Sequence, residues 1–328
     1  MKNVNEKSNK KLTRMNSLKD ILVSQYFVII VILLVMGITI SFLSPVFLTS
    51  RNLLNVLLQT SINIIVAVGV TMVILTGGID LGVGSVVALT GVTLGTMLKA
   101  NFPIPIAFLL AVLVGAFTGI INGLLVSKGK VPAFVATLGM MSVARGLSLI
   151  ITGGRSIYVF PKSFLNFFGI GYLWFIPMPV VIAIVVVIVA HYILNQTRFG
   201  RYVYSIGGNA EAARLAGVKV SSMLIMTYMF AGVTYAIGGT ILTARLNSAQ
   251  PIAGNGYELD AIAAAVIGGT SLSGGVGTVW GTVLGALIMG VLRNGLNLLN
   301  ISSYIQQVLI GTVIVGAVLI DRLRNNKA

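Results

Sequence analysis

Long apolar runs, separated by short polar, basic or glycine-rich stretches, recur along almost the whole chain. Ten can be marked, at 21–43, 53–75, 81–98, 103–126, 131–151, 177–194, 223–244, 259–268, 276–299 and 304–320. Most approach the roughly 20 residues a helix needs to cross a bilayer. They are continuously apolar and do not alternate, which argues against the strands of a transmembrane barrel. The pattern predicts an all-α fold, a polytopic transmembrane helix bundle of about ten spans. The eighth run is short and leads into glycines, and the count falls to eight or nine if short segments re-enter. Two intervening stretches are longer. One, 152–176, contains Tyr158, Pro161, Phe167, Phe168 and Trp174 and is expected to lie at the outer interface; the other, 195–222, is the largest inside loop. The expected organisation is a basic cytoplasmic tail over 1–20, a transmembrane domain over 21–321 and a short cytoplasmic tail over 322–328, with no separate soluble domain.

Composition agrees with this pattern. Of 328 residues 56% are hydrophobic and 9% charged, against about a quarter charged in a soluble domain. The formal charge of +15 would suggest nucleic acid in a soluble protein. Here the basic residues lie in tails and short loops. With ten spans and both termini in the cytoplasm, Lys128, Lys130, Arg198, Arg201, Arg214, Lys219, Arg322, Arg324 and Lys327 join the basic N-terminal tail on the inside. Arg51, Lys99, Arg155, Lys162 and Arg245 are left outside. That bias is the positive-inside rule and needs no nucleic-acid partner. The first run follows a basic stretch, as a signal peptide would, but its length and the lack of a small-residue cleavage pattern before Ser44-Pro45 predict a retained helix.

Candidate catalytic chemistry is sparse. The chain has no cysteine, which excludes disulfides, thiolate metal sites and cysteine catalysis. Its single histidine, His191, sits beside Tyr192 near the end of an apolar run and is expected at the interface. "GGVGTVWG" superficially looks like a phosphate loop, but no G-x-x-x-x-G-K-[ST] occurs, so the chain has no Walker site of its own. No enzymatic activity and no cofactor are expected on this chain.

The polar residues inside the runs carry more information. Asn55, Gln59 and Asn63 recur every four residues and share one helix face. In a membrane such amides must face protein or water. They either bond neighbouring helices or line a path for a hydroxyl-rich solute. Arg293, Asn297 and Asn300 form a second such face. In "GYELDAIAAA", Glu258 and Asp260 fall where the eighth run begins on the outer side. They either complement a helix dipole or form an outer gate or partner contact, with Arg245 and Gln250 in the same region. Gly115, Gly119 and Gly123 are spaced by four, as are Gly277, Gly281 and Gly285, a spacing that lets helix backbones approach closely.

Two glycine-rich breaks echo each other, "TGGIDLGVGSVVALTGVTLG" and "IGGTSLSGGVGTVWGTVLG". Duplicated broken helices often mark the centre of a transporter. The first carries Asp80, the only acid between Asp20 and Glu211. Span parity puts Asp80 near the inner face. It is expected to cap the helix from Leu81 onward, its glycines allowing the reversal, and to contribute to an inner gate or its coupling. In the inside loop, "NAEAARLAG" predicts a short amphipathic helix with Asn209 as cap, Glu211 and Arg214 as charges and Gly217 as terminator. It could lie on lipid or insert into a partner's groove.

With these stretches in view, the chain resembles the membrane-spanning permeases of bacterial ABC sugar importers of the ribose/xylose/galactose type. "NLLNVLLQTSINIIVAVGVTMVILTGGIDLGVGSVVALTG", "KVPAFVATLGMM", "TRFGRYVYSIGGNAEAARLAGV", "SAQPIAGNGYELDAIAAAVIGGTSLSGGVGT" and "NGLNLLNISSYIQ" carry the likeness almost end to end. Gly77 and Gly82 depart from it, since the family often has serines there. The resemblance implies a multi-pass protein of the bacterial inner membrane that moves a monosaccharide, ribose foremost, by alternating access. It also implies a homodimer, cytoplasmic ATP-binding subunits and an extracytoplasmic sugar-binding protein. The loop over 195–222 would then be the coupling loop, with Asn209, Glu211, Arg214 and Gly217 in the helix that docks on the ATPase. An ion-coupled secondary transporter is the competing class; it would need intramembrane carboxylates or histidines, of which Asp80 is almost the sole candidate.

Overall fold

The computed structural model describes residues 25–325. Residues 1–24 and 326–328, and with them the basic tail expected over 1–20, lie outside the described residues. The helices are α1 (Gln25–Leu43), α2 (Ser50–Leu75), α3 (Val83–Lys99), α4 (Ile104–Ser127), α5 (Ala133–Thr152), α6 (Lys162–Leu165), α7 (Met178–Gln196), α8 (Arg198–Gly208), α9 (Ala210–Leu215), α10 (Val220–Leu246), α11 (Tyr257–Ile267), α12 (Val279–Leu298) and α13 (Ser303–Asn325). A π-helical turn (Asn166–Ile170) and four two-residue strands complete the set, the strands being β1 (Ile157–Tyr158), β2 (Tyr172–Leu173), β3 (Ile176–Pro177) and β4 (Ser248–Ala249).

By length and composition, seven of these helices can cross a membrane: α1, α2, α4, α5, α7, α10 and α12. The 17-residue α3 and the apolar part of α13 are shorter. The eighth apolar run becomes α11, of 11 residues. At 1.5 Å per residue it is about 16 Å long, half of a hydrocarbon core of about 30 Å. It is a half-helix.

α2 is the axis of the bundle. Its apolar window is 72% buried, whereas that of α1 is 11% buried; α1 therefore sits at the rim and turns Leu34, Val35 and Phe42 outward. Around α2 pack α10, α12, α11 and α7. The main core joins Ile62, Ile65, Val66 and Val70 of α2 to Val83, Val86 and Val87 of α3, Tyr228 and Tyr235 of α10, and Ala261, Ala264 and Ala265 of α11. Little of this would form in lipid through the hydrophobic effect alone, because lipid tails are as apolar as leucine; close backbone packing supplies the contact. The stripe Gly115, Gly119, Gly123 on α4 provides it, lying directly against the backbone of α10 at Gly232, Tyr228 and Ile225. Gly281 and Gly285 do the same for α12 against Gly268 and Ala264.

The stretch over 152–176 folds onto the end of the bundle where α10 finishes. β1 pairs antiparallel with β4, Ile157 opposite Ala249, and β2 pairs with β3 as a hairpin. Phe160, Phe164 and Phe168 pack beneath in a chain of aromatic contacts. Trp174 at the hairpin tip is exposed.

Candidate functional site

The two glycine-rich breaks are where the structure departs most from the sequence expectation. α3 begins at Val83 with Gly82 before it, and no side chain caps its first turn. Asp80 is thus not the cap of a helix starting at Leu81. It is also not at the inner face. Its carboxylate is 2% exposed, accepting from the Gly82 N–H at 2.8 Å and from the Tyr235 hydroxyl at 3.1 Å. Tyr235 stands near the middle of α10, a helix of 27 residues, so Asp80 lies at about half-height in the bundle. After Gly77 the chain turns back inside the protein as an unwound segment. Such backbone survives at membrane depth only where the protein satisfies it. Thr137 of α5 does so: its Oγ1 accepts from the Leu81 N–H at 3.1 Å and lies 3.1 Å from the Ile79 carbonyl oxygen.

A second re-entrant piece meets the first. Beyond β4 the chain descends to Gly254 and Gly256, and α11 starts there. At Gly84, in the first turn of α3, a Cβ would overlap the Gly254 carbonyl oxygen and come within 2.8 Å of Glu258 Oε2. The first turns of the short helices α3 and α11 therefore touch at half-height. α3 runs on to Lys99 towards the β1/β4 end; α11 runs to the opposite end, where Gly275 N–H donates to the Leu75 carbonyl at 3.0 Å. Arg145 of α5 holds the descending loop, its Nη1 donating to Pro251 O at 2.7 Å and Ala253 O at 3.0 Å. Glu258 and Asp260, expected at the outer mouth, sit instead at this deeper level because α11 is a half-helix. Short helices opposed in this way at mid-membrane are a recurrent feature of transporter sites.

Asp260 is 4% exposed and is paired with Arg293 of α12 at 2.7 Å. Arg245 reaches from the end of α10 to the Leu58 carbonyl of α2 at 3.3 Å. Gln250 donates to Ser248 Oγ at 2.9 Å, a local bond within its loop. Asn297 accepts from Gln306 of α13 at 2.8 Å, and Asn300 is in the exposed turn that follows α12. The α2 stripe behaves differently. Asn55 and Gln59 are exposed and Asn63 is half-buried, and among the described residues none of the three has a hydrogen-bond partner in the chain. On the α2 wheel they lie between the face carrying Asn52, Val56 and Thr60, which packs on α12, and the face that meets α10 at Leu58 and Ile62.

Several polar residues of this region had no place in the sequence reading. Asn52 and Asn294 form a buried reciprocal amide pair, each Nδ2 donating to the other's Oδ1 at 2.9 Å. Three positions before Asn55, Asn52 shares the stripe's side of α2, and only the partner helix sets it apart. Arg145 was legible, being the one charge in its apolar run. Tyr228 and Tyr235 gave no signal, because a tyrosine in a span is compatible with plain core packing. Tyr235→Phe leaves a buried carboxylate oxygen without its donor, and we expect the purified protein to lose about 1–3 kcal/mol of stability, read as a lowered melting temperature in detergent; Asp80→Asn should be milder, since its Oδ1 can still accept from the Gly82 N–H while its Nδ2 donates to the Tyr235 hydroxyl oxygen.

On the opposite side, 195–222 holds two helices. α8 follows Thr197, whose hydroxyl caps it at Gly200. α9 is capped by Asn209, Oδ1 accepting from the Ala212 N–H at 2.9 Å. It ends in a Schellman motif, with Gly217 N–H bonded to Arg214 O, Val218 N–H bonded to Ala213 O, and Gly217 at φ +86°. Arg214 and Glu211 pair across one turn, and the guanidinium holds the Glu211 carboxyl below the usual range, so both are charged at neutral pH. Leu215 is 76% exposed.

A membrane-spanning bundle with two re-entrant breaks, a polar interior and an amphipathic helix presented at one end defines a multi-pass membrane permease. The family model described as "Branched-chain amino acid transport system / permease component" matches residues 52–318. The chain belongs to this family. Among curated proteins it is 48% identical over 295 residues to the ribose import permease protein RbsC of Escherichia coli (strain K12), covering 89% of this chain and 92% of that one. It is 46% identical over 304 residues to the ribose import permease protein of Haemophilus influenzae, 92% and 93% of the two chains. It is 38% identical over 320 residues to the galactose/methyl galactoside import permease protein of Escherichia coli, 90% and 94% of the two chains. No solved structure matches.

Proposed function

We propose that this protein is the membrane-spanning subunit of an ATP-driven importer for a monosaccharide, ribose foremost. The observation that carries this is identity of 46–48% over nine-tenths of the chain to proteins named as ribose import permeases. Permeases named for allose and galactose follow at 38%. A neutral polyol suits the polar groups of the interior. Asn55, Gln59 and Asn63 are amides without internal partners, free to donate to and accept from sugar hydroxyls. Arg293, Asn297, Arg245, Gln250, Glu258 and Asp260 are assigned to the same path, with Asp80 and Glu258 at half-height as its gate. Sugar arrives from an extracytoplasmic binding protein. Two copies of the chain and a cytoplasmic ATP-binding subunit complete the machine, with about ten membrane passages per copy and both termini in the cytoplasm.

The chain itself performs no covalent chemistry and carries no cofactor. The ATPase biases the bundle by binding its inward- and outward-open states with different affinity. α9 is the docking element: its paired charges and exposed Leu215 present an amphipathic surface, and Gly217 ends it sharply. Glu211→Arg should weaken co-purification of the ATP-binding subunit while membrane insertion stays intact; unchanged co-purification removes α9 from the docking role. Substrate identity is tested by measuring binding-protein-dependent ATP hydrolysis across a panel of pentoses and hexoses. Ribose should stimulate most, and equal stimulation by all sugars or by none contradicts the assignment.

A further inference from the structure

Three backbones converge where α8 meets the bundle. The Leu75 carbonyl at the end of α2 accepts from the Gly275 N–H at 3.0 Å, tying together the two glycine-rich breaks. Gly207, on the last turn of α8, is wedged against that bond: a Cβ there would overlap both the Leu75 carbonyl oxygen and the Gly275 amide nitrogen and lie 3.0 Å from Gly275 Cα. At Gly274 a Cβ would lie 2.8 Å from the Gly77 nitrogen and 3.0 Å from Gly207 Cα. The neighbouring Gly208 has nothing within 4 Å of such a position. One turn earlier, Tyr204 donates its hydroxyl to the Gly277 carbonyl at 2.9 Å. The rest of the buried side of α8 is locked into the core, with Val203 clustering with Leu75, Leu194 and Val279.

We propose that α8 is the positioning element that couples α9 to both re-entrant breaks, with Gly207 as its close-contact pivot and the Tyr204–Gly277 bond as its second point of attachment. α9 follows α8 directly, Asn209 bonding back to Ser205 and capping the next helix. A displacement of α9 therefore turns α8 with it. α8 touches the end of α2, three residues before the segment that carries Asp80 begins at Gly78. It also touches the break whose other end is α11, with Glu258 and Asp260. Both halves of the interior junction are reached through one helix, by backbone contacts too close to slip. A single bulky atom at the pivot would part them.

The inference rests on the ATP-driven reading, and the experiment separates the two. The complete transporter, permease with ATP-binding subunit and ribose-binding protein, is reconstituted in proteoliposomes. Co-purification of the ATP-binding subunit, ATP hydrolysis with and without loaded binding protein, and ribose uptake are read for Tyr204→Phe, Gly207→Ala and Gly208→Ala. We expect all three to retain the ATP-binding subunit. Gly208→Ala should keep the wild-type ratio of sugar moved to ATP hydrolysed. Tyr204→Phe and Gly207→Ala should lower that ratio about fivefold or more, the size of a typical inter-site coupling. Should Gly207→Ala fail to insert, Tyr204→Phe, which removes one hydroxyl, decides alone. A wild-type ratio in Tyr204→Phe, or damage in Gly208→Ala equal to that in Gly207→Ala, overturns the proposal. Absence of any ATP-dependent uptake by the wild type overturns the ATP-driven reading itself.

Discussion

Arg293→Met should destabilise the protein by about 3–5 kcal/mol, the cost of removing one partner from a buried ion pair. Asp260 is the reason. Its carboxylate is 4% exposed and bonded to Arg293 Nη2 at 2.7 Å, and it sits on a half-helix whose first turns are surrounded by protein. The Arg293 side chain as a whole is 35% exposed and that of Asp260 only 4%, so the loss falls on Asp260. The double variant Arg293→Met/Asp260→Asn should recover most of the stability, because no charge is then stranded. Thermal unfolding of the three detergent-purified variants measures this. Equal melting of the single variant and the wild type would mean that water or another cation replaces Arg293.

Gly119→Val should be comparably severe for a different reason. A Cβ at Gly119 would overlap the Tyr228 carbonyl oxygen and come within 2.7 Å of its carbon and 2.8 Å of Met229 Cα. All three are backbone atoms of α10, and no rotamer change relieves them; the helices must separate. Overpacking of this kind costs about 1–3 kcal/mol or more. Separation also lifts α10 away from α2 and α3, which contact its other faces through Tyr235 and Gly239. We expect the variant to be aggregated or absent when membrane extracts are run on a size-exclusion column. Gly139→Val, where no atom lies within 4 Å of the added Cβ, is the matched control and should elute as wild type.

The hydrophobic pattern contained the long helices and the tight-packing stripe on α4, because both depend on local spacing along one element. The short helix α9 was legible to the residue. Asn209 and Gly217 are a cap and a terminator whichever protein surrounds them, and the geometry of α9 follows from them. Depth was not legible. Counting charges between spans tells which side a loop faces, but not how far a glycine-rich segment folds back into the bundle. Asp80 and Glu258 were therefore expected at the two faces, whereas both lie at half-height. The partner of each polar group was equally hidden: Asp260 reads as a helix-dipole acid or a gate until α12 brings Arg293 beside it, and nothing marks Asn52 until it meets Asn294. The contact of Gly207 with Leu75 and Gly275 joins three segments far apart in sequence, and only the fold could reveal it.

The most direct test of the account is ribose uptake by the purified chain in proteoliposomes, with the ATP-binding subunit, the binding protein and ATP each present or left out. The account predicts accumulation against a gradient only when all are present, with no uptake when any one is missing. Uptake by the chain alone, whether down a sugar gradient or driven by a proton or sodium gradient, would contradict it.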